Sequence, residues 1–375
     1  MADTQQRRVN AWILPERAKQ LFAHGLPPPE KRMTYTMPGI QFEKLPDEGI
    51  HELAQKQNIS VPSVSSDCSL DSLLALTDKG HFRAAIELSS ALLSSMGQGV
   101  GKAHTPSKHT AESLKIWTVR IQLLTSLRQY GIANWEIETF ADLDAPDLFY
   151  QYHPETYPDL KGSMVPFTLR LLRAELPRHV GNCQEVTSRC STLIRTISTM
   201  ITNLQNGMSE DGLSRIDPDD AAKSESLWQS RLRAVHCCLA RNFLTAKDHS
   251  VVSRVYSDVS VQETDVASAC GLFSLLGRLS LELGDGKTAN DWFLKFNTSC
   301  DQSNADMKAL ACMHRGFLNI FYGQYAEACK AFQNALQFQP DNYTVSVIFT
   351  SYMYCTSVLA FGFCVLHVLV SASKT

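Results

Sequence analysis

The chain has 375 residues, 44% hydrophobic and 19% charged, which is enough apolar material for a core and too much for a wholly disordered polypeptide. Thirty-five basic residues against 38 acidic ones leave a formal charge of -3, which excludes nucleic-acid binding driven by a large positive excess. The eleven cysteines contain no C-x-x-C pair, so neither a cysteine zinc site nor a redox dithiol is expected. With no secretory signal behind Met1, they read as free cytosolic thiols.

Residues 1–65 read as a proline-rich, largely disordered leader. Pro27, Pro28 and Pro29 stand in a row, with Pro15, Pro38, Pro46 and Pro62 around them. Proline lacks an amide donor and fixes φ, so helices and central strands do not run through such a stretch. An amphipathic piece from Trp12 to Leu26 is the part with a face to dock, either on a partner or on the body of the protein.

From Leu70 the pattern becomes helical, with apolar residues at Leu70, Leu73, Leu74 and Leu76, then at Ala84, Ala85, Ile86, Leu88, Leu92 and Leu93. Further helices are expected over 113–127, 165–176, 185–204, 226–244 and 265–283. Polar insertions are expected at 97–112, 142–163 and 206–224. The last contains Asp217, Pro218, Asp219 and Asp220 and reads as a solvated loop with no catalytic carboxylate. Nothing alternates as a half-buried strand does, and the fold class is all-α.

A repeat is visible over 34 positions from Ala309 to Asn342. Gly316 takes position eight, Gly323 fifteen, Tyr325 seventeen, Ala328 twenty, Phe332 twenty-four, Ala335 twenty-seven and Pro340 thirty-two, the tetratricopeptide pattern without a gap. Gly316 and Ala328 are small enough for two helices to approach closely. Gly323 and Tyr325 are expected at the turn, Phe332 and Ala335 against the next repeat, and Pro340 at the helix stop. Counting from Cys270, Gly277, Gly284, Ala289, Phe293 and Phe296 fall in the same register. Counting from Arg233 places Ala240, Val252 and Tyr256. Fainter copies carry Gly181 with Val186 and Cys190, Tyr130 with Ala133, and Gly80 with Phe82 and Ala85. Residues 66–342 are therefore expected to form an α-solenoid of stacked tetratricopeptide-like hairpins, because one helical pair cannot bury both its faces.

No catalytic constellation accompanies the repeats. Gly97, Gly99, Gly101 and Lys102 have the wrong spacing for a phosphate loop, and no strand precedes them. Neither H-E-x-x-H nor G-x-S-x-G occurs. Cys237 and Cys238 beside His236 point in different directions on a helix and read as buried filler. The chain is expected to be no enzyme, with no metal, no cofactor and no small-molecule substrate.

The segment from Asp142 to Phe167 is unusual for a repeat array. It carries Pro146-Asp147-Leu148-Phe149-Tyr150, Tyr157-Pro158 and Gly162-Ser163-Met164-Val165-Pro166-Phe167. With Gly80-His81-Phe82-Arg83-Ala84-Ala85-Ile86, Leu227-Trp228 and Gly284-Asp285 as supporting pieces, the stretch from about Leu70 to Asn342 resembles the subunit 12 family of the trafficking protein particle (TRAPP) complex. That resemblance implies a non-enzymatic scaffold in a tether for endoplasmic-reticulum-to-Golgi vesicle transport. The implied partners are other TRAPP subunits, and the implied location is the cytoplasm beside intermediate-compartment or Golgi membranes. Phe149, Tyr150, Tyr152 and Tyr157 are the candidate protein interface, since rigid aromatics dominate interface energetics. The competing and preferred reading makes them a lid packed on the repeats, because so apolar a loop is costly in water.

The uncharged run from Tyr343 to Ser373 departs from the family. Residues 343–375 read as a terminus lacking the last repeats, as a degenerate cap or, least favoured, as a membrane anchor; otherwise membrane contact is expected to be indirect. Two rival functions stand beside the scaffold. One is a chaperone adaptor gripping C-terminal peptides, for which Ala234, Cys237, Cys238 and Arg241, or Leu310, Met313, His314 and Phe317, supply too little positive charge. The other is an all-α enzyme with a groove site.

Overall fold

A computed structural model of the chain describes residues 11–28, 31–46, 68–301, 303–342 and 346–347. The hydrophobic tail read at 343–375 lies almost wholly outside them. The chain divides into two compact units, Met1–Asn242 and Phe243–Thr375. Thirteen α-helices occur among the described residues, with short 3-10 turns and isolated bridges but no β-strand, so the fold is all-α.

In the first unit α1 is Glu16–Ala23, α2 Leu70–Asp78, α3 Phe82–Ser95, α4 Ala111–Ser126, α5 Tyr130–Glu138, α6 Phe167–Glu175 and α7 Cys183–Gln205. Helix α8 is Pro218–Thr245. The second unit holds α9, His249–Gln262; α10, Val266–Glu282; α11, Gly286–Ser299; α12, Ala305–Phe321; and α13, Tyr325–Phe338. Consecutive helices from α2 to α5 and from α9 to α13 pack on one another, as does α6 on α7.

The helix starts follow from short polar side chains that accept from orphan amides. Ser69 caps α2, Asn182 α7, Asp248 α9, Asp265 α10, Asp285 α11 and Asn304 α12. Thr110 and Ser113 form a reciprocal capping box on α4. Helix α8 begins inside the expected loop at 206–224. Pro218 sits where a missing amide costs nothing, and Asp219 and Asp220 face the positive end of the helix dipole.

Six turns share one geometry. Gly80, Arg128, Gly181, Lys247, Gly284 and Gly323 are left-handed, with φ of 76, 58, 87, 61, 83 and 74°. Each stands two residues before the next helix. The following amide then reaches back five residues, His81 to Leu76, Gln129 to Leu124, Asn182 to Pro177, Asp248 to Phe243, Asp285 to Ser280 and Gln324 to Asn319, at 2.7–3.0 Å. This is the Schellman closure, which satisfies the carbonyls that a helix end leaves open.

Seven residues before each left-handed residue and nine after it, the side chains are complementary in size. Gly277 faces Phe293, and Gly316 faces Phe332. A Cβ on Gly277 would lie 2.2 Å from Phe293 Cε1, and one on Gly316 would lie 2.6 Å from Phe332 Cζ. Phe332 therefore packs within its own hairpin, where the sequence reading expected it against the next one. In the first unit the same positions hold Leu73 with Ser89, Ile121 with Ile137, and Ala174 with Cys190, all buried. Ala289, Ala328 and Ala335 are fully buried too, while exposed Pro340 lies two residues beyond the end of α13.

The expected flexible leader does not describe residues 11–28 and 31–46. Trp12, Ala18, Met37 and Ile40 are buried. Trp12 donates its indole N–H to Asp144 at 3.0 Å, lies 6.0 Å from Trp228 and is covered by the Arg170 guanidinium at 4.1 Å. Burying a Trp and two aliphatic side chains offsets the ordering entropy, and prolines reduce that entropy beforehand.

Candidate protein interface

The segment between α5 and α6 is built from two 3-10 turns, Pro146–Leu148 and Tyr150–Tyr152. They are held by Tyr150 N to Gly162 O at 3.0 Å and Met164 N to Leu148 O at 2.9 Å. The absence of helical periodicity and the extended residue between them keep these turns short. Between them the chain is extended at Phe149, which drives that ring inward.

Phe149 is fully buried among Val186, Cys190, Ile197 and Trp228. Tyr152 is buried, and its hydroxyl donates to Met33 O at 2.7 Å while Tyr35 meets its ring edge-on at 5.8 Å. Tyr150 and Tyr157 are half-buried and meet edge to face at 5.2 Å, and the Tyr157 hydroxyl accepts from Ala111 N. Phe149 and Tyr152 thus spend their apolar surface inside the first unit, while Tyr150 and Tyr157 keep part of theirs exposed. An apolar insertion lowers its free energy by covering itself, which is the packing the lid reading describes.

Burial also sets the protonation of nearby groups. It pushes the Asp147 carboxyl up to about 6, with the Ser107 hydroxyl working against the rise, and raises the Tyr35 and Tyr152 phenols. His109, stacked on Phe140 at 5.8 Å, is lowered to about 4, first by burial and then by His153. Arg189 joins three helices. It donates to Glu138 at 2.6 and 3.0 Å, to Glu185 at 2.7 Å and to Arg173 O at 2.9 Å. A cavity of about 230 Å³ beside it is lined by Trp12, Asp144, Arg170, Arg173 and Thr192 among others. Its charges are internally balanced, so it selects no ligand charge.

Of the eight positions weighed for a peptide clamp, three are buried and five half-buried. Cys238, His314 and Phe317 are buried, and Arg241 pairs with Glu175 at 2.9 Å. Cys238 lies 3.6 Å, sulfur to sulfur, from Cys190, a proximity no local spacing reveals. His314 shares a 2.8 Å hydrogen bond with Ser274 and stacks on Phe293 at 4.3 Å. Burial, then Arg278, lowers its pKa to about 3. Among the described residues no group of three or more metal-ligating side chains converges, and no helix is long and apolar enough to cross a membrane.

The second unit does expose apolar surface at its turns. Leu283, Phe321, Tyr322 and Tyr325 are 52%, 37%, 58% and 45% exposed. Gly286 lets Phe321 and Tyr322 close on the start of α11, since a Cβ there would lie 2.5 Å from Phe321 Cε1. Sequence reasoning placed Tyr325 at a turn but missed the other three. Their only signal is apolar character at turn-flanking positions that helical periodicity does not bury.

No family model matches the chain. Trafficking protein particle complex subunit 12 of Mus musculus is 35% identical over 319 residues, 82% of this chain and 40% of that protein. Its Homo sapiens counterpart is 34% identical over 319 residues, 82% of this chain and 43% of that protein. The chain spans about two fifths of the length of these curated relatives. A solved tetratricopeptide repeat protein from Parabacteroides merdae covers 76% of this chain and 97% of its own, at 12% identity and a TM-score of 0.32, too slight a likeness to bear on the fold. Across the 319 aligned residues the chain is similar to trafficking protein particle complex subunit 12.

Proposed function

We propose that the chain is a non-enzymatic scaffold subunit of a TRAPP-type tethering complex in endoplasmic-reticulum-to-Golgi vesicle transport. In this reading it holds other subunits of that complex and reaches membranes indirectly, from the cytoplasm. The observation that carries the reading is the 35% identity over 82% of the chain to a protein named as a subunit of that complex. Supporting it, the buried side chains of both units go into helix packing, and the exposed apolar edge of Leu283, Phe321, Tyr322 and Tyr325 offers aromatic anchors to a protein partner.

Co-expression of the full chain with the remaining TRAPP subunits tests this. The expected result is a stable complex on size-exclusion chromatography that Tyr322→Ala with Tyr325→Ala weakens without loss of helical signal. Elution of the folded chain apart from every subunit would overturn the proposal.

A further inference from the structure

Residues 32–46 form no helix and only isolated bridges at Thr36 and Ile40, yet they are held along their length. Loop 99–107 takes the middle of the strap: Ser107 N donates to Tyr35 O at 2.7 Å, Met37 N donates to Thr105 O at 3.0 Å, and His104 N donates to Met37 O at 3.0 Å. Further along, Gln41 N donates to Glu136 Oε1 at 3.0 Å, Arg120 Nη2 donates to Phe42 O at 3.0 Å, and Ser90 Oγ donates to Glu43 O at 2.9 Å. Each of these six bonds reads the main chain of the strap rather than its side chains. The strap buries only the run Met37-Pro38-Gly39-Ile40, while Met33, Thr34, Thr36, Phe42, Glu43 and Lys44 stay exposed.

Arg120 and Glu136 are the centre of this arrangement. Both side chains are fully buried and paired at 2.7 Å. Arg120 also donates to Ile86 O, Ser89 Oγ and Ser90 Oγ. A buried ion pair is tolerated when its remaining donors and lone pairs are satisfied. Here the Arg120 bond to Phe42 O and the Glu136 bond from Gln41 N are made only by the strap. The body of the first unit is thus built with a charged pair whose hydrogen bonding an extended main chain completes.

We propose that the channel lined by α3, α4, α5 and loop 99–107 is a binding site for extended polypeptide, and that residues 35–43 are its ligand supplied in cis. The chemistry fits a segment with an apolar–proline–small–apolar core. Gly39 is its most demanding position, because a Cβ there would lie 2.4 Å from the backbone nitrogen of Ala103 and 2.9 Å from its Cα. Backbone atoms do not give way as a side-chain tip does.

The test uses the full chain carrying Gly39→Val, which disables the ligand without altering the channel, and a fluorescent synthetic peptide of residues 31–46. In the wild-type chain the tethered strap competes at a high effective concentration. The peptide is expected to bind the Gly39→Val chain at least ~10-fold more tightly than wild type, in proportion to that competition. A peptide that itself carries Gly39→Val is expected not to bind, and helical circular dichroism is expected to be retained. No peptide binding to the folded variant overturns the proposal. Should the variant fail to fold, the full wild-type chain with a protease site inserted between Pro46 and Cys68 decides. After cutting, replacement of its strap by the labelled peptide supports the site, and an intact chain that refuses the exchange overturns it.

Discussion

Gly277 and Gly271 lie on the same helix, α10, and replacing each by alanine should have opposite effects. In a helix interior alanine is favoured over glycine by about 1 kcal/mol. Around Gly271 a new Cβ meets nothing within 4 Å, so Gly271→Ala should stabilise by that amount. At Gly277 the same atom would lie 2.2, 2.6 and 2.7 Å from three carbons of Phe293, a ring only 2% exposed. The ring would have to retreat by roughly an ångström against Gly277's own hairpin partners, and overpacking of this kind costs about 1–3 kcal/mol or more. Offset by the helix gain, Gly277→Ala should lose up to about 2 kcal/mol. Thermal unfolding followed by circular dichroism reads both, since a change of 1 kcal/mol moves the midpoint by about 4 °C in a unit of this size. Because both substitutions sit on one helix, they should move the same transition in opposite directions. Phe293→Leu should relieve the loss in the Gly277→Ala background. Equal stabilisation by the two alanines would refute the close-packing account of the hairpins.

Asp147 has its carboxyl raised to about 6 by burial, above the ordinary carboxylate value, so the folded state binds the proton more tightly than the unfolded one. Stability should therefore rise as pH falls from about 6 towards 4, and Asp147→Asn should be more stable than wild type at pH 8 by up to about 3 kcal/mol, an advantage that melts at pH 4 should not show. His314 behaves in the opposite sense. Its folded pKa of about 3 lies below the unfolded value, so its contribution is intact above pH 6.5 and falls by about 1.4 kcal/mol per pH unit below that, down to about pH 3. His314→Phe should flatten this acid branch in melts of the second unit, and the lost bond to Ser274 should add only a pH-independent drop. Arg120→Met strands the buried Glu136 carboxylate and should cost about 3–5 kcal/mol; Arg120→Met with Glu136→Leu should recover part of it in urea titrations, and an equal loss in both would refute the stranded-charge reasoning.

Much of the candidate site was out of reach of sequence reasoning for a physical reason. Periodicity and turn signals report on neighbours within a few residues, and they located α10 to α13 and the turns at Gly80, Gly181, Gly284 and Gly323. They could not mark Arg128 and Lys247 as left-handed turn residues, because a non-glycine there is imposed by the packing of the flanking helices at a local cost. Arg120 reads as an ordinary polar position on α4 until Glu136, 16 residues away, is brought beside it. The aromatic segment was recognisable as apolar and inserted, but whether Phe149 faces out or in depends on the space α7 and α8 leave for it.

By itself, the sequence of this chain determined the all-α class, the hairpin unit and the family resemblance, since each rests on residue types at short, regular intervals that act through local sterics and hydrogen bonding. Tertiary structure alone decided that Trp12 meets Asp144 across 132 residues, that Cys190 meets Cys238, and that the proline-rich strap completes a buried ion pair. Those contacts depend on how already formed helices stack, and an extended segment has no periodicity to announce which surface will take its main chain.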